Sequence, residues 1–286
     1  MIHPTICTVA AENYLPRVNA LAESLGRHHP DARLVLLLLS DNVPSVKVGS
    51  NIELLRCASM DDSLRRLREK YSDIKQVCTA LKPALMSTLL DRSKGPVLYL
   101  DPDTWITGSL VNVFTTVSRH SLSLTPHMDS TGMTCWDKNS LEALLLAGQY
   151  NAGVVGVSNH RETQIFLSWW EQRLTTHCIN DVHKGFHYDQ RWLDHSVGFI
   201  RDLHIFRDPG LNCAYWNMNY RKWTEMGGEW FLDGEALKLF HFSGFDPAQP
   251  DFVSQFLPEA RVDQLQPPLR RLFEQYLDCV LKHRPA

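Results

Sequence analysis

The chain has 286 residues, 44% hydrophobic and 21% charged, with 15 glycines, 15 prolines and a formal net charge of −3. That length and balance suit one large α/β domain or two small ones, and they exclude intrinsic disorder and collagen-like repeats. The slight acidic excess leaves no footprint for nucleic acid, and no stretch approaches the roughly 20 apolar residues that span a bilayer.

The opening "MIHPTICTVAAENYLPR" lacks the basic start and long apolar run of a secretory signal. The seven cysteines are odd in number and show no Cys-x-x-Cys pair. The expectation is therefore a protein of a reducing compartment, cytoplasmic, with neither a disulfide framework nor a structural zinc site. Cys7, Cys57 and Cys78 sit in apolar contexts that predict buried thiols.

The first element, "PTICTVAA", is β-branched and apolar and predicts a strand. Asn13 is expected to cap a helix beginning near Tyr14, with Leu15, Val18, Leu21, Ala22 and Leu25 recurring on its buried face. "ARLVLLLLSD" is a continuous apolar run of strand length, the kind found in parallel strands covered on both faces. "IELLRC" reads as a short strand after it. Residues 59–92 predict two helical pieces, with Pro83 in a first turn, where its missing N–H costs nothing. "PVLYLD" is the next buried strand. The order β-α-β-β-α-β up to Asp101 implies a mostly parallel sheet with right-handed crossovers.

In the second half, "SLSLTPH" and "AGVVGVS" read as strands. Between them lie Cys135, Trp136 and a short leucine-rich helix. "RETQIFLSWWEQRLTTH" predicts a helix, "LHIFRD" and "LKLFHFSG" later strands, and residues 265–283 an amphipathic C-terminal helix opened by prolines. With no hydrophilic break, residues 1–286 are expected to form a single α/β domain with a mixed, mostly parallel central sheet flanked by helices.

The run "LYLDPDTWI" ends a buried strand on two carboxylates, Asp101 and Asp103, either side of a proline. A carboxylate at a strand end costs desolvation energy unless it meets water, a donor or a cation. In open α/β sheets ligands bind beyond the carboxyl ends of strands, and residues i and i+2 of an extended chain project the same way. Pro102 biases Asp101 towards an extended conformation. Two carboxylates so held suit Mg²⁺ or Mn²⁺. The plainer alternative is that they cap the short helix "SLVNVF" or lie in a solvated turn.

Four short stretches together resemble the GT-A-type (Rossmann-like) glycosyltransferases, in particular the family 8-like retaining enzymes. They are the strand ending in Asp-x-Asp, "YNAGVVGV" at Tyr150–Val157, "YDQRWLD" with Asp189 and Gln190, and "HFSG" at His241–Gly244. The resemblance implies a nucleotide-binding half over 1–103 and a sugar and acceptor half over 104–250. It implies that Asp101 and Asp103, with His241 as third ligand, hold a divalent metal. An imidazole beside two carboxylates suits Mn²⁺ better than Mg²⁺. Without the resemblance His241 reads as a satisfied histidine at a strand end.

The resemblance also implies a donor-sugar contact at Asp189, with Gln190 nearest the anomeric carbon and Asn151 as a further sugar contact. Asp189 serves equally as a helix N-cap. Main chain near Thr8 and Ala10 is expected to read the base and Tyr14 to stack on it. Lys82 is expected either to neutralise diphosphate charge or to lie solvated on the surface. Asn212, Trp216, Asn217 and Tyr220 mix aromatic faces with amides, as a sugar wall or an irregular loop would, and Asn217 is assigned to the donor.

One departure stands out. The family usually carries a lysine two or three residues beyond His-x-x-Gly that touches the diphosphate, whereas this chain continues "HFSGFDPAQP", with Asp246 and no lysine. Lys82, Arg221 and Lys222 are the candidates to replace it.

The expected activity is metal-dependent transfer of a hexose from a nucleotide-diphosphate sugar, a UDP-sugar first among donors. The acceptor would be a glycan or a lipid-linked glycan of polysaccharide biosynthesis, with peripheral contact at the inner membrane face. Two rival readings are a GT-A scaffold that binds without turnover and, further off, a haloacid dehalogenase-like phosphatase. The phosphatase signature ends in Thr or Val where this chain has Trp105.

Overall fold

The computed structural model describes residues 4–40, 48–55, 60–128 and 138–284. The expectations for Cys57, Cys135 and Trp136 lie outside them. The chain begins with strand β1 (Thr5–Ala11) and helix α1 (Leu15–His28), then strands β2 (Leu34–Leu39) and β3 (Ile52–Leu54), three helices α2 (Asp61–Lys70), α3 (Ile74–Ala80) and α4 (Lys82–Ser93), and strand β4 (Val97–Leu100). Then follow β5 (Thr104–Ile106), α5 (Val111–Arg119), β6 (Leu122–Pro126), α6 (Lys138–Ala147), β7 (Tyr150–Val157) and α7 (Arg161–His177). The short strands β8 (Asn180–Asp181) and β9 (Phe186–His187) pair with each other, and β10 (Leu203–Ile205) and β11 (Leu211–Cys213) come next. A meander of β12 (Trp223–Met226), β13 (Glu229–Leu232) and β14 (Glu235–Ala236) leads into β15 (Leu239–His241). The hairpin of β16 (Phe252–Ser254) and β17 (Leu257–Arg261) precedes the last helix, α8 (Pro267–Lys282).

The central sheet has seven strands in the order β10-β6-β7-β4-β1-β2-β3. Every pairing is parallel except those of β7, which runs antiparallel to both neighbours. The sheet is thus mixed and mostly parallel, and strands from both halves of the chain share it. β4 and β7 are buried along their whole length, which is why they read as unbroken apolar runs. One face is covered by α4 and α7 with Met86, Leu90, Phe166 and Trp170, the other by α1 and α5 with Leu21, Leu25, Phe114 and Val117.

The start of α1 differs from expectation. Asn13 does not cap it: Glu12–Tyr14 form a single 3-10 turn and α1 begins at Leu15, with Pro16 in its first turn. The region expected as two helical pieces is three, because Tyr71 turns extended after α2 and Asp73 then caps α3 by accepting from Lys75 N at 2.9 Å. Pro83 does open α4.

A second, three-stranded sheet, β11-β15-β5, positions the site. β15 runs antiparallel to β5, with His241 opposite Thr104, and Phe242 N donates to the Asp103 carbonyl at 2.9 Å. Behind this sheet α8 packs Tyr276 flat on Phe242, ring centroids 3.7 Å apart.

Candidate active site

β4 delivers Asp101 to the carboxyl end of the main sheet, where Asp101 N donates to the Gly153 carbonyl at 2.8 Å. Thr104 then closes a turn on the Asp101 carbonyl through its N–H at 3.1 Å and its hydroxyl at 2.7 Å. The two carboxylates do not cap α5, which begins without any side-chain cap. They face His241 instead: its Nε2 lies 3.2 Å from Asp103 Oδ1 and 3.8 Å from Asp101 Oδ2. The ligand atoms of all three lie within 4.8 Å of one another.

The imidazole orientation is fixed from behind. Asn212, in the left-handed region at φ 62°, donates its amide to Thr125 Oγ1 at 2.7 Å and to Asn151 Oδ1 at 3.0 Å. Its Oδ1 therefore accepts from His241 Nδ1–H at 3.1 Å. That bond turns Nε2 towards the two carboxylates, a geometry in which the three side chains could hold a divalent cation among them. The donor set fits Mn²⁺ or Mg²⁺: two oxygens and one nitrogen, with room left for substrate oxygens. Burial opposes ionisation of Asp103, but His241 and Arg17 outweigh it and hold its carboxyl below the usual range.

Gly153 makes room for the imidazole. A Cβ there would overlap His241 Cε1 and stand 2.7 Å from both His241 Nδ1 and Asn151 Oδ1. We expect Gly153→Ala to push the ring off its carboxylates and weaken Mn²⁺ binding at least tenfold, at a stability cost of about 1–3 kcal/mol. Titration calorimetry with Mn²⁺ and urea unfolding would read the two effects separately.

Lys82 is neither on the surface nor free for a diphosphate. At the start of α4 its Nζ lies 2.9 Å from Asp101 Oδ1 and 2.9 Å from Asp189 Oδ2, and it donates to the Ala152 carbonyl at 3.3 Å. It also sits 4.9 Å from the centre of the Tyr99 ring, and the Tyr99 hydroxyl donates to Asp101 Oδ1 at 2.9 Å. Burial works against the ammonium, but the two aspartates outweigh it and raise its pKa. Asp189 is also raised, because its burial exceeds the relief that Lys82 supplies. Asp189 precedes the 3-10 helix Gln190–Gly198 but makes no side-chain cap; its Oδ2 pairs with Lys82.

Asn151 and Gln190, expected from the resemblance to meet the sugar, form one buried amide chain. Asn151 Nδ2 donates to Gln190 Oε1 at 2.9 Å, and Gln190 Nε2 donates to the Ala147 carbonyl at 2.9 Å. Both ends of the Gln190 amide are thus engaged by protein. His127 gives Nδ1–H to the Gly148 carbonyl at 2.8 Å and takes a longer contact from Asn151 Nδ2 at 3.4 Å. Burial pushes His127 down to about 4, so the ring is neutral near pH 7.

These groups open onto a cleft of about 960 Å³ that is also lined by Ala10 and Tyr14. Thr8 and Asn217 stand outside it. Thr8 lies within β1 with its hydroxyl enclosed, and Asn217 closes a turn by accepting from Ala214 N at 2.9 Å. Arg221 is committed to Asp233 at 3.2 Å and to the Asn217 carbonyl, and neither it nor Lys222 lines the cleft. None of the three candidates therefore stands unpaired in the cleft in place of the missing lysine. Cys7 is buried as expected, whereas Cys78 is half-buried and lines the cleft, with burial pushing its thiol up to about 12.

Sequence reasoning passed over Tyr99 and His127, and carried Gly153 only as part of the YNAGVVGV stretch, with no role of its own. The signal for His127 was its place at the end of β6, on the same sheet edge as Asp101. For Gly153 it was a glycine two residues from Asn151, on the same face of β7. A second cluster, Glu23, Cys279 and His283, ties α1 to α8. Glu23 there is already paired with Lys282 and Arg27 as well as His283, and burial raises the Cys279 thiol to about 11.

No family model matches the chain. It is 22% identical over 246 residues to the uncharacterized protein YfnD of Bacillus subtilis (strain 168), covering 83% of this chain and 76% of that one. Among solved structures it resembles the galactosyltransferase LgtC in complex with donor and acceptor sugar analogues, at TM-score 0.53 and 15% identity, covering 98% of this chain and 96% of the other. An active-site mutant of LgtC matches at TM-score 0.54 and 14% identity over the same shares. The chain has the GT-A glycosyltransferase fold.

Proposed function

We propose that this GT-A chain is a metal-dependent glycosyltransferase that moves a hexose from a nucleotide-diphosphate donor, a UDP-sugar first, to a saccharide acceptor with retention of configuration. One observation carries the reading. The described residues lining the cleft include five carboxylates (Asp73, Asp101, Asp103, Asp189 and Glu259) against two lysines, Lys75 and Lys82. Lys82 is itself bound to two of those carboxylates. A diphosphate is repelled by such a wall unless a cation stands between, and Asp101, Asp103 and His241 are arranged to hold one. Bound there, Mn²⁺ or Mg²⁺ supplies the positive charge that steadies the diphosphate oxygens as they leave.

The chain's own residues do the rest. Ala10 and Tyr14 face the base end of the cleft, and Asp189 and Asn151 orient the donor sugar. Gln190, its amide fixed by Asn151 and Ala147, is the group nearest the anomeric carbon, where a carbonyl oxygen favours an oxocarbenium-like sugar. LgtC, with donor and acceptor sugar analogues bound in the same fold, supports the reading.

Thermal unfolding with Mn²⁺ and UDP, GDP, ADP, CMP or dTDP tests it. One diphosphate should stabilise the protein, by about 2.7 kcal/mol at a hundredfold excess over its Kd, and only with Mn²⁺ present. The corresponding nucleotide sugar should then release nucleotide. Binding without release would make the chain an inert GT-A binding module, and no shift with any nucleotide would overturn the reading altogether.

A further inference from the structure

Among the described residues, one group of metal-ligating side chains stands outside the cleft: Glu23, Cys279 and His283, with ligand atoms within 4.8 Å of one another. Cys279 and His283 are four residues apart at the end of α8, so thiol and imidazole project from one face on successive turns. Glu23 meets them from α1, 260 positions away from His283 in the chain. His283 Nε2 lies 2.9 Å from Glu23 Oε2, and the Cys279 thiol hydrogen-bonds the same carboxylate. The thiol is only 6% exposed and forms the floor of the group, whereas Glu23 and His283 are half-buried and reach solvent. An ion and one water have a way in.

The donor set selects the metal. Sulfur, nitrogen and oxygen from Cys, His and Glu suit Zn²⁺, whereas Mg²⁺ and Mn²⁺ favour oxygen. The cleft triad of Asp101, Asp103 and His241 has no sulfur, so the two sites differ in preference. The ligand atoms are also close to the spacing found around a four-coordinate ion with bonds of about 2.0–2.3 Å. Arg27 and Lys282 now pair with Glu23, but their side chains are 49% and 64% exposed. Exposed pairs of this kind contribute little to stability, and a divalent ion displaces both into water. Cys279 gives its proton to solvent on binding, and thiolate and carboxylate together balance the ion's two charges. The place of the triad fixes its role. Glu23 lies about 12 Å along α1 from Leu15, away from the cleft. The same two helices back the cleft: Arg17 of α1 donates to the Phe245 carbonyl at 3.2 Å, and Tyr276 of α8 stacks on Phe242.

We propose that Glu23, Cys279 and His283 form a second metal site, which takes Zn²⁺ through the Cys279 sulfur and fastens α1 to α8 behind the cleft. The site is structural and independent of the proposed transfer reaction. The lack of a Cys-x-x-Cys pair spoke against zinc along the chain. This triad instead joins a Cys-x-x-x-His turn to a glutamate near the other end of the chain.

Co²⁺ titrated into the full chain after dialysis against a chelator is the probe. A cobalt–thiolate bond adds a near-ultraviolet charge-transfer band that oxygen and nitrogen ligands do not give. One equivalent should raise the band, Zn²⁺ should displace it, and Mg²⁺ should leave it even at about a hundredfold excess. Cys279→Ser should lose the band, and His283→Gln should weaken Zn²⁺ binding at least tenfold. Asp103→Asn should keep both the band and a rise in unfolding midpoint with Zn²⁺, because the cleft triad supplies no sulfur. Thermal melts of the metal-free variants check that they fold; if Cys279→Ser does not, His283→Gln decides the matter alone. No thiolate band, a band that survives in folded Cys279→Ser, or unaltered Zn²⁺ affinity in His283→Gln overturns the proposal. So does zinc stabilisation that vanishes in Asp103→Asn, since the ion would then sit in the cleft.

Discussion

Asp103→Asn is expected to lose sugar transfer by about a thousandfold and to abolish the Mn²⁺-dependent stabilisation by nucleotide diphosphate, while the protein stays folded. The geometry makes this the cleanest cut in the site. Asp101 has three tasks: its side chain also accepts from Tyr99 and pairs with Lys82. Asp103 has one side-chain partner of note, His241 Nε2 at 3.2 Å, and its backbone role, the carbonyl accepting from Phe242 N, survives the substitution. An asparagine keeps the shape and removes the charge, leaving one carboxylate and an imidazole for a divalent ion. Metal stabilisation of departing diphosphate charge amounts to several kcal/mol, and about 4 kcal/mol is three powers of ten in rate. Nucleotide release from the donor and a thermal shift with Mn²⁺ would be measured side by side. Full activity in a folded Asp103→Asn protein would mean that the triad is not the metal site.

Lys82→Met is expected to cost about 3–5 kcal/mol of stability, the range for a buried ion pair broken on one side. The ammonium is almost wholly enclosed and neutralises two carboxylates at once; Asp189 is the more deeply buried of them, its side chain only 6% exposed. Remove the cation and Asp189 must either stay charged without a partner or bind a proton, and burial already raises its pKa. Adding Asp189→Asn should recover much of the loss, because the orphaned charge is gone. The two substitutions should therefore couple by about 1–3 kcal/mol in a double-mutant cycle. Urea unfolding of the four proteins at one pH gives the answer. Additive effects would show that the pair is not energetically linked.

Much of this was legible along the chain. α7 follows "RETQIFLSWWEQRLTTH" residue for residue, and β4 and β7 stand where unbroken apolar runs predicted buried strands. Those signals are local: side-chain period and β-branched content report burial within a single element. The Asp-x-Asp at the end of β4 was legible for the same reason, since a carboxylate ending a buried strand stands out against its neighbours. The first helix started later than Asn13 implied, because a 3-10 turn and Pro16, both short-range details, set the boundary.

The chemistry of single residues was harder. Nothing around Lys82 in sequence distinguishes a surface lysine from a buried one, since both snorkel from the same helical position. Its burial follows from α4 opening against the carboxyl edge of the sheet, between β4 and the segment that carries Asp189. Asn217 shared its loop composition with true lining residues but turned inward to cap Ala214. Gln190 follows Asp189 in the sequence, yet only the fold shows both ends of its amide tied to Asn151 and Ala147.

By itself the sequence determined an α/β chain with strands of known place and a pair of carboxylates at the end of a buried strand, because burial period and desolvation cost are written into neighbouring residues. Only the tertiary structure decided that His241 meets Asp103 across the pairing of β15 with β5, that Asn212 fixes the imidazole with Nε2 towards the two carboxylates, and that Lys82 is paired inside the protein. Those contacts join residues tens to more than a hundred positions apart, and their energy comes from sheet pairing and enclosure that no local stretch contains.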